Sequence, residues 1–343
     1  MTTPDDEQHV AGEALEGYVS RLEKSAALGH LVVYSIFDGR VTPDELELWF
    51  IELGLDRAHL PGSLRPVDAY EKTTGELQVT YPVDAPMAGR GRPREPGETV
   101  ATLMVRPVAA DGEQITRHLV REVRDEGART LDYETRLAEI VFVRDQAADR
   151  VAGGGVMRVT PDTASIGRLD DAERARVEQV IGQIDDRYQH RCTYLSGDRL
   201  RGIIRKHVED LKAVRVRPTG GVYFVGDRHA ATLQALRTLV KRFGEGSSFT
   251  RIPLPDEEEM REMVVGAWRE RAKEELQRLS RDIAAARENG KGPKAVEALV
   301  KRFRALKATA EEHSGLLSET LEETAGAMEL AEMQLRDLLT RGG

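Results

Sequence analysis

Arginines at strand and helix spacing between residues 187 and 242 are the residues of this sequence best suited to chemistry. The segment holds 13 Lys and Arg against 4 Asp and Glu, a local charge of +9, whereas the whole chain carries −9. The rest of the chain therefore sums to −18. A basic segment in an acidic chain favours a polyanionic partner. The alternative is that these arginines pair with carboxylates elsewhere in the chain.

Two predicted elements would present these arginines. Ser196-Gly-Asp198 predicts the start of a helix whose apolar stripe leaves the basic side chains on the opposite side. The strand that begins at Val214 would turn its arginines to solvent, because strand side chains alternate, and Pro218-Thr-Gly-Gly221 predicts the turn that follows. The candidate DNA contacts are Arg201, Arg205, Lys206, Arg215 and Arg217.

This order of a basic helix and a basic hairpin resembles the second half of a winged-helix domain. The resemblance implies that Arg201, Arg205 and Lys206 contact a groove or phosphates of double-stranded DNA and that Arg215 and Arg217 contact the adjacent backbone. The sequence departs from the family because one helix precedes the basic helix where two are usual. Winged-helix folds also serve as protein contacts, so the resemblance alone does not establish DNA binding.

Metal and nucleophilic chemistry have weaker support. The four candidate zinc ligands are His190, Cys192, His207 and His229. Their spacing is not that of a zinc finger or ribbon, which favours a buried thiol and ordinary histidines. No local signature of a Cys–His nucleophile surrounds the cysteine. We therefore predict no catalytic residue, metal or cofactor.

Two acidic pairs are typical of helix capping and solvated surface. They are Asp170-Asp171 and Asp185-Asp186. The alternative for them is magnesium binding in a nuclease.

The N-terminal part, residues 1–160, predicts an α+β domain around an antiparallel sheet. Hydrophobic periodicity predicts a helix over 11–28, a strand over 31–37, a helix over 43–53 with Trp49 in the core, and a strand over 78–82. Residues 60–75 predict a loop with about one helical turn, and residues 85–97 a surface loop.

Longer strands are predicted over 99–108, 114–124 and 130–144, with Asp111-Gly112 and Glu126-Gly127 at the turns. Such short connections imply antiparallel neighbours. A further strand is predicted over 156–160. The preceding glycines, 153–155, are not a phosphate-binding loop because no Lys-Ser/Thr follows them.

The remainder predicts a winged-helix-like domain over 161–245 and an antiparallel, coiled-coil-like helical hairpin over 256–343. The first contains helices over 170–190 and 229–243 around the basic helix and hairpin. In the second, apolar residues recur every three or four positions, with a break at Asn289-Gly-Lys-Gly-Pro293. The arms would be roughly 45–50 Å and 70 Å long. Either the second arm bends near Gly315, or its end leaves the pair and meets another subunit.

Composition limits the class of protein. No apolar run approaches the roughly 20 residues of a membrane span, and the acidic start, 1–7, is unlike a signal peptide. We therefore expect a cytoplasmic protein without a membrane partner. The lone cysteine excludes an internal disulfide.

Four motifs resemble an uncharacterised family of actinobacterial and bacteriophage proteins. They are RPVDAYEKTTG from Arg65, HLVREVRDEG from His118, EIVFVRD from Glu139 and RPTGGVYFV from Arg217. The resemblance implies no activity.

Together these observations predict a non-enzymatic, oligomeric interaction protein. It would associate with double-stranded DNA through the basic helix and hairpin and form a homo-oligomer through its C-terminal helices. The first alternative is a structural or adaptor assembly protein of phage or plasmid origin that does not bind DNA. The second is a metal-dependent nuclease.

Overall fold

The computed structural model describes residues 27–83, 99–125, 130–145, 153–217, 221–288 and 293–341. The strands in these ranges are β1 Ala27–Ser35, β2 Gln78–Pro82, β3 Thr99–Ala110, β4 Gln114–Asp125, β5 Thr130–Arg144, β6 Gly155–Pro161, β7 Val214–Arg215, β8 Tyr223–Gly226 and β9 Ser248–Pro255. The helices are α1 Pro43–Glu52, α2 Pro66–Gly75, α3 Thr163–Ile166, α4 Asp171–Thr193, α5 Gly197–Asp210, α6 Ala230–Lys241, α7 Glu258–Glu288, α8 Pro293–Glu312 and α9 Ser314–Arg341. The predicted α+β class is confirmed.

The described residues form two compact units. Unit 1 contains residues 27–40, 45–60 and those from 197 onward, and unit 2 contains residues 41–44 and those from 61 to 196. These limits differ from the predicted divisions at 160 and 245. The chain leaves unit 1 after its first strand and helix, builds unit 2, and then returns to unit 1.

Unit 2 is built on an antiparallel sheet with the order β2-β3-β4-β5-β6 among the described residues. The predicted antiparallel meander is confirmed. At the β3–β4 turn, the Asp111 carboxylate accepts hydrogen bonds from the backbone N–H groups of Glu113 and Gln114 at 2.8 and 2.7 Å. The predicted loop over 85–97 and the turn at Glu126-Gly127 lie outside the described residues.

Helix α2 corrects the loop predicted over 60–75. Pro66 occupies the start of the helix, where its missing N–H is not needed. Val67 and Tyr70 are buried, and so are the polar residues Thr73 and Thr74. The Thr74 hydroxyl donates to the Tyr70 carbonyl oxygen at 2.6 Å, and this hydrogen bond offsets the desolvation cost of burying the hydroxyl. The polar composition therefore concealed a helix with a buried face.

Helix α4 packs in the core of unit 2. As predicted for helix capping, the Asp170 carboxylate accepts a hydrogen bond from the Glu173 N–H at 2.8 Å. Val177, Val180 and Ile184 lie in the same buried cluster as sheet residues such as Phe142. The helix predicted as the first element of the winged-helix-like domain therefore packs with the sheet of unit 2, which precedes it in the sequence.

Unit 1 contains a sheet with the order β7-β8-β1-β9 among the described residues. Strand β8 pairs antiparallel with both β7 and β1. The predicted hairpin is therefore the edge of a larger sheet and not a separate two-stranded wing. Ala27 and Leu28 belong to β1, so the end of the helix predicted over 11–28 is wrong, and its remainder lies outside the described residues.

Helices α6 and α7 pack on this sheet, whereas α1 contacts α5 through the rings of Phe50 and His207. The predicted helix at 43–53 is confirmed as α1, in which Leu46 and Phe50 are buried and Trp49 is half-buried. Helix α6 contacts β9. Trp268 of α7 shares a buried cluster with Val214 and Phe224 of the sheet.

The C-terminal helices form a three-helix bundle. The second predicted arm divides into α8 and α9 at His313, next to the bend expected near Gly315, and α9 contacts both α7 and α8. Leu279, Phe303 and Leu335 are buried together in the bundle. Among the described residues the alternative of a second arm leaving the pair is wrong.

No helix in the described part of the chain has the length and apolar character to cross a bilayer.

Candidate nucleic-acid interface

Arg215 and two tyrosines form a connected group across three strands. The Arg215 Nη2 donates to the Tyr223 hydroxyl at 3.0 Å, and its guanidinium lies 5.4 Å from the centre of that ring. The Tyr34 ring stacks on Tyr223 with centroids 6.3 Å apart and an interplanar angle of 9°. Burial and the neighbouring Tyr223 raise the pKa of Tyr34, so the Tyr34 hydroxyl stays neutral at pH 7.

Helix α5 brings a second predicted arginine to this group. The α5 helix begins at Gly197, whose N–H donates to the Asp38 carboxylate at 2.6 Å. Arg205 and Glu209, both exposed, act electrostatically on the Tyr34 hydroxyl with opposite sign. We call Tyr34, Arg205, Glu209, Arg215 and Tyr223 the tyrosine–arginine surface. It contains Arg205 and Arg215, two of the five candidate DNA contacts.

Two other predicted contacts, Arg201 and Lys206, are exposed but bonded to other groups of the protein. Arg201 donates to Asp198 Oδ1 at 2.5 Å and to the Ile36 carbonyl oxygen at 2.8 Å. Lys206 Nζ lies 3.4 Å from the Ala58 carbonyl oxygen. These bonds would have to be exchanged for bonds to a ligand, which lowers the gain from binding.

Part of the basic segment is neutralised by carboxylates, as the alternative interpretation expected. Arg191 lies 2.5 Å from Glu76, and Arg242 makes two bonds to Glu52 at 2.6 and 2.7 Å. Arg228 and His229 both contact Glu312. In contrast, Arg205 and Arg217 are exposed and form no ion pair within the described residues.

A cleft of about 270 Å³ lies between residues 215–217 and helix α7. The residues that line it from α7 are Ala267, Glu270, Arg271, Glu274, Glu275 and Arg278. Arg278 pairs with Glu274 at 3.4 Å, and Glu275 pairs with Arg302 at 2.8 Å. The sequence analysis did not predict this cleft. Its α7 residues recur at helical spacing, but they lie on a different face from the apolar stripe that predicted the helix.

The four candidate zinc ligands do not form a metal site. Within the described ranges no group of three or more His, Cys, Asp or Glu has the geometry to hold a metal ion. Cys192 hydrogen-bonds to Tyr188, and burial raises the pKa of its thiol. The rings of His190 and Tyr194 lie 4.9 Å apart.

His207 forms a buried pair with His59. Their ring centroids are 3.8 Å apart, and His59 Nε2 lies 3.2 Å from Asp210 Oδ2. His207 Nδ1 lies 3.2 Å from the Ile203 carbonyl oxygen, and its ring meets the edge of Phe50. Burial, and to a lesser degree the charge of His59, lowers the pKa of His207 to about 4.

We expect acid to destabilise unit 1 through this pair. Between about pH 6.5 and 4, His207 is protonated in the unfolded chain but neutral in the folded chain. The free energy of unfolding therefore falls as the pH falls through this range. His207→Gln should flatten that slope in urea titrations at successive pH values. His190→Gln, at an exposed position, serves as the control. An unchanged slope in His207→Gln would contradict the assignment.

Fold and site together define a two-unit α+β protein with two antiparallel sheets, a tyrosine–arginine surface and a C-terminal helical bundle. Residues 27–342 match the family of unknown function DUF6744, and the chain belongs to that family. No curated protein and no solved structure matches the chain.

Proposed function

We propose that the chain is a non-enzymatic interaction protein that associates with double-stranded DNA through Arg205, Arg215 and Arg217. The proposal rests mainly on one observation: Arg205 and Arg217 are exposed and free of ion pairs among the described residues. Between them in sequence, Arg215 is held in place by Tyr223. Fixed and free guanidinium groups are suited to phosphate oxygens.

The order of the elements, a helix followed by a hairpin, also supports the proposal, because the winged-helix comparison depends on that order. Helix α5 is followed directly by β7 and β8, and Arg205 and Arg215 approach the same tyrosine. Arg201 and Lys206 have smaller roles in this proposal because both are bonded within the protein.

We further propose self-association through the outer face of α9 and a cytoplasmic location in an actinobacterial or phage setting. Leu330 and Met333 lie one helical turn apart, and both are exposed on α9, which supports a homo-oligomer. The lone Cys192 and the predominance of arginine over lysine support the setting.

A salt series of duplex binding tests the DNA proposal. Arg205→Gln/Arg217→Gln should bind a duplex about tenfold more weakly than the parent, and the slope of log K against log salt should fall by about 2. The control is Arg281→Gln/Arg304→Gln, which removes the same charge from exposed positions of the bundle. Fluorescence anisotropy provides the measurement.

Three outcomes are informative. A parent without salt-dependent binding would reject the DNA proposal and leave the structural or adaptor role. Equal losses in the two double variants would assign binding to general charge and reject the named arginines. Light scattering tests self-association, because a parent that stays at its monomer mass of 38.1 kDa contradicts it.

A further inference from the structure

Strand β7 is an edge strand of its sheet among the described residues. The Val216 N–H donates to the Val222 carbonyl oxygen at 2.9 Å, and Val214 stands opposite Phe224. Hydrogen-bonded pairs alternate with non-bonded pairs along an antiparallel ladder. The N–H and C=O groups of Arg215 and Arg217 therefore point away from β8, toward the free edge of the sheet.

The opposite edge of the same sheet is closed to a further strand by proline. Strand β9 contains Pro253 and ends at Pro255, and proline has no N–H to donate. Strand β7 carries no proline, and helix α7 stands beside it across the cleft. This pair of edges favours strand addition at β7.

The helical wall of the cleft is long enough for a short extended chain. Its α7 wall runs from Ala267 to Arg278 along one helical face, which corresponds to about 16 Å. An extended peptide rises about 3.3 Å per residue, so about five residues fit along this wall. The other wall is formed by Arg215, Val216 and Arg217, which belong to or directly follow the edge strand β7.

The charges of the cleft are mixed. After the ion pairs of Glu274 and Glu275 are accounted for, Glu270, Arg271 and Arg217 remain without an ion pair among the described residues. A ligand that matches them carries both acidic and basic groups. A nucleic-acid backbone supplies acidic groups alone and offers no main-chain donor for the Arg215 carbonyl oxygen, whereas a peptide supplies donors and acceptors in alternation.

We propose that this cleft binds an extended peptide of mixed charge as an additional strand on β7. The peptide main chain pairs with Arg215 and Arg217, its acidic side chains face Arg217 and Arg271, and a basic side chain faces Glu270. The proposal goes beyond DNA association and does not depend on it. The guanidinium of Arg215 stays with Tyr223 on the tyrosine–arginine surface.

The test compares two replacements at one position. Arg217→Gln and Arg217→Pro both remove the guanidinium, but only the proline removes the outward N–H. The probes are three labelled hexapeptides in which threonine alternates with glutamate, with lysine, or with glutamate and lysine in turn. The mixed peptide should bind the parent most tightly. Arg217→Pro should bind it about tenfold more weakly than Arg217→Gln, the effect of one lost hydrogen bond.

A second variant leaves the backbone unchanged. Glu270→Gln should bring the affinity for the all-glutamate peptide closer to that for the mixed peptide, because the repelling carboxylate is gone. Equal affinities of Arg217→Pro and Arg217→Gln for the mixed peptide would overturn the proposal. So would a parent that binds no probe with a Kd below about 1 mM.

Thermal melting of both Arg217 variants checks that they fold alike. Their duplex binding should be equal, because they have lost the same charge. Peptide binding without DNA binding would retain this proposal and reject the proposed function, and DNA binding without peptide binding would do the reverse.

Discussion

Arg121→Met is expected to lower the free energy of unfolding of unit 2 by about 3–5 kcal/mol. Arg121 on β4 is buried and donates to Glu173 at 2.8 and 2.9 Å and to Asp132 at 2.8 Å. The Tyr81 hydroxyl also donates to Glu173, at 3.0 Å. Methionine would leave the nearly buried Glu173 carboxylate without its counter-charge, and that desolvated charge is the source of the loss.

Urea denaturation of matched variants measures this effect. Lys72→Met removes one member of an exposed pair with Glu76 in the same unit and should cost less than about 1 kcal/mol. Arg121→Met/Glu173→Leu removes both buried charges and should be more stable than Arg121→Met alone. If Arg121→Met costs no more than Lys72→Met, the buried network does not stabilise unit 2.

Trp268→Ala is expected to lower the free energy of unfolding of unit 1 by about 3–5 kcal/mol. Trp268 is 1% exposed and lies in one cluster with Phe224 of the sheet and Leu276 of its own helix. Its loss opens a cavity where α7 meets the sheet. Its Nε1 has no hydrogen-bond partner within the described residues, so Trp268→Phe sacrifices no bond and should cost much less.

The chain's other tryptophan supplies the control. Trp49 is half-buried, with the Arg242 guanidinium 5.9 Å from its ring centre, and Trp49→Ala should cost about 1 kcal/mol. Guanidinium chloride unfolding gives both values. Comparable losses for Trp49→Ala and Trp268→Ala would contradict the assignment of Trp268 to the core.

Local patterns were sufficient for much of the fold. The meander of unit 2 has short turns and alternating strands, so neighbours in sequence are neighbours in the sheet. Helix α2 was not predicted because its buried face includes Thr73 and Thr74. These residues have helical spacing, but they are polar and so do not appear in a hydrophobic pattern. The helix predicted over 11–28 included Ala27 and Leu28, and only pairing with β9 assigns Ala27 to a strand.

The candidate site shows the same difference between local features, which the sequence predicted, and non-local contacts, which it did not. The exposure of Arg205 and Arg217 followed from helical and strand alternation. The bond from Arg201 to the Ile36 carbonyl oxygen joins residues 165 positions apart, and no local pattern contains it. The pairing of β1 with β8 and β9, which places Tyr34 beside Tyr223, is non-local for the same reason.

The interrupted course of unit 1 sets an order of events during synthesis. Strand β1 ends at Ser35, but its partners begin at Tyr223 and Ser248, so the ribosome must add about 190 residues before β1 can pair. At about 5–20 residues per second this takes roughly 10–40 s. Unit 2 is complete at Ser196 and contains its own core, so it can fold during that interval while β1 is still unpaired.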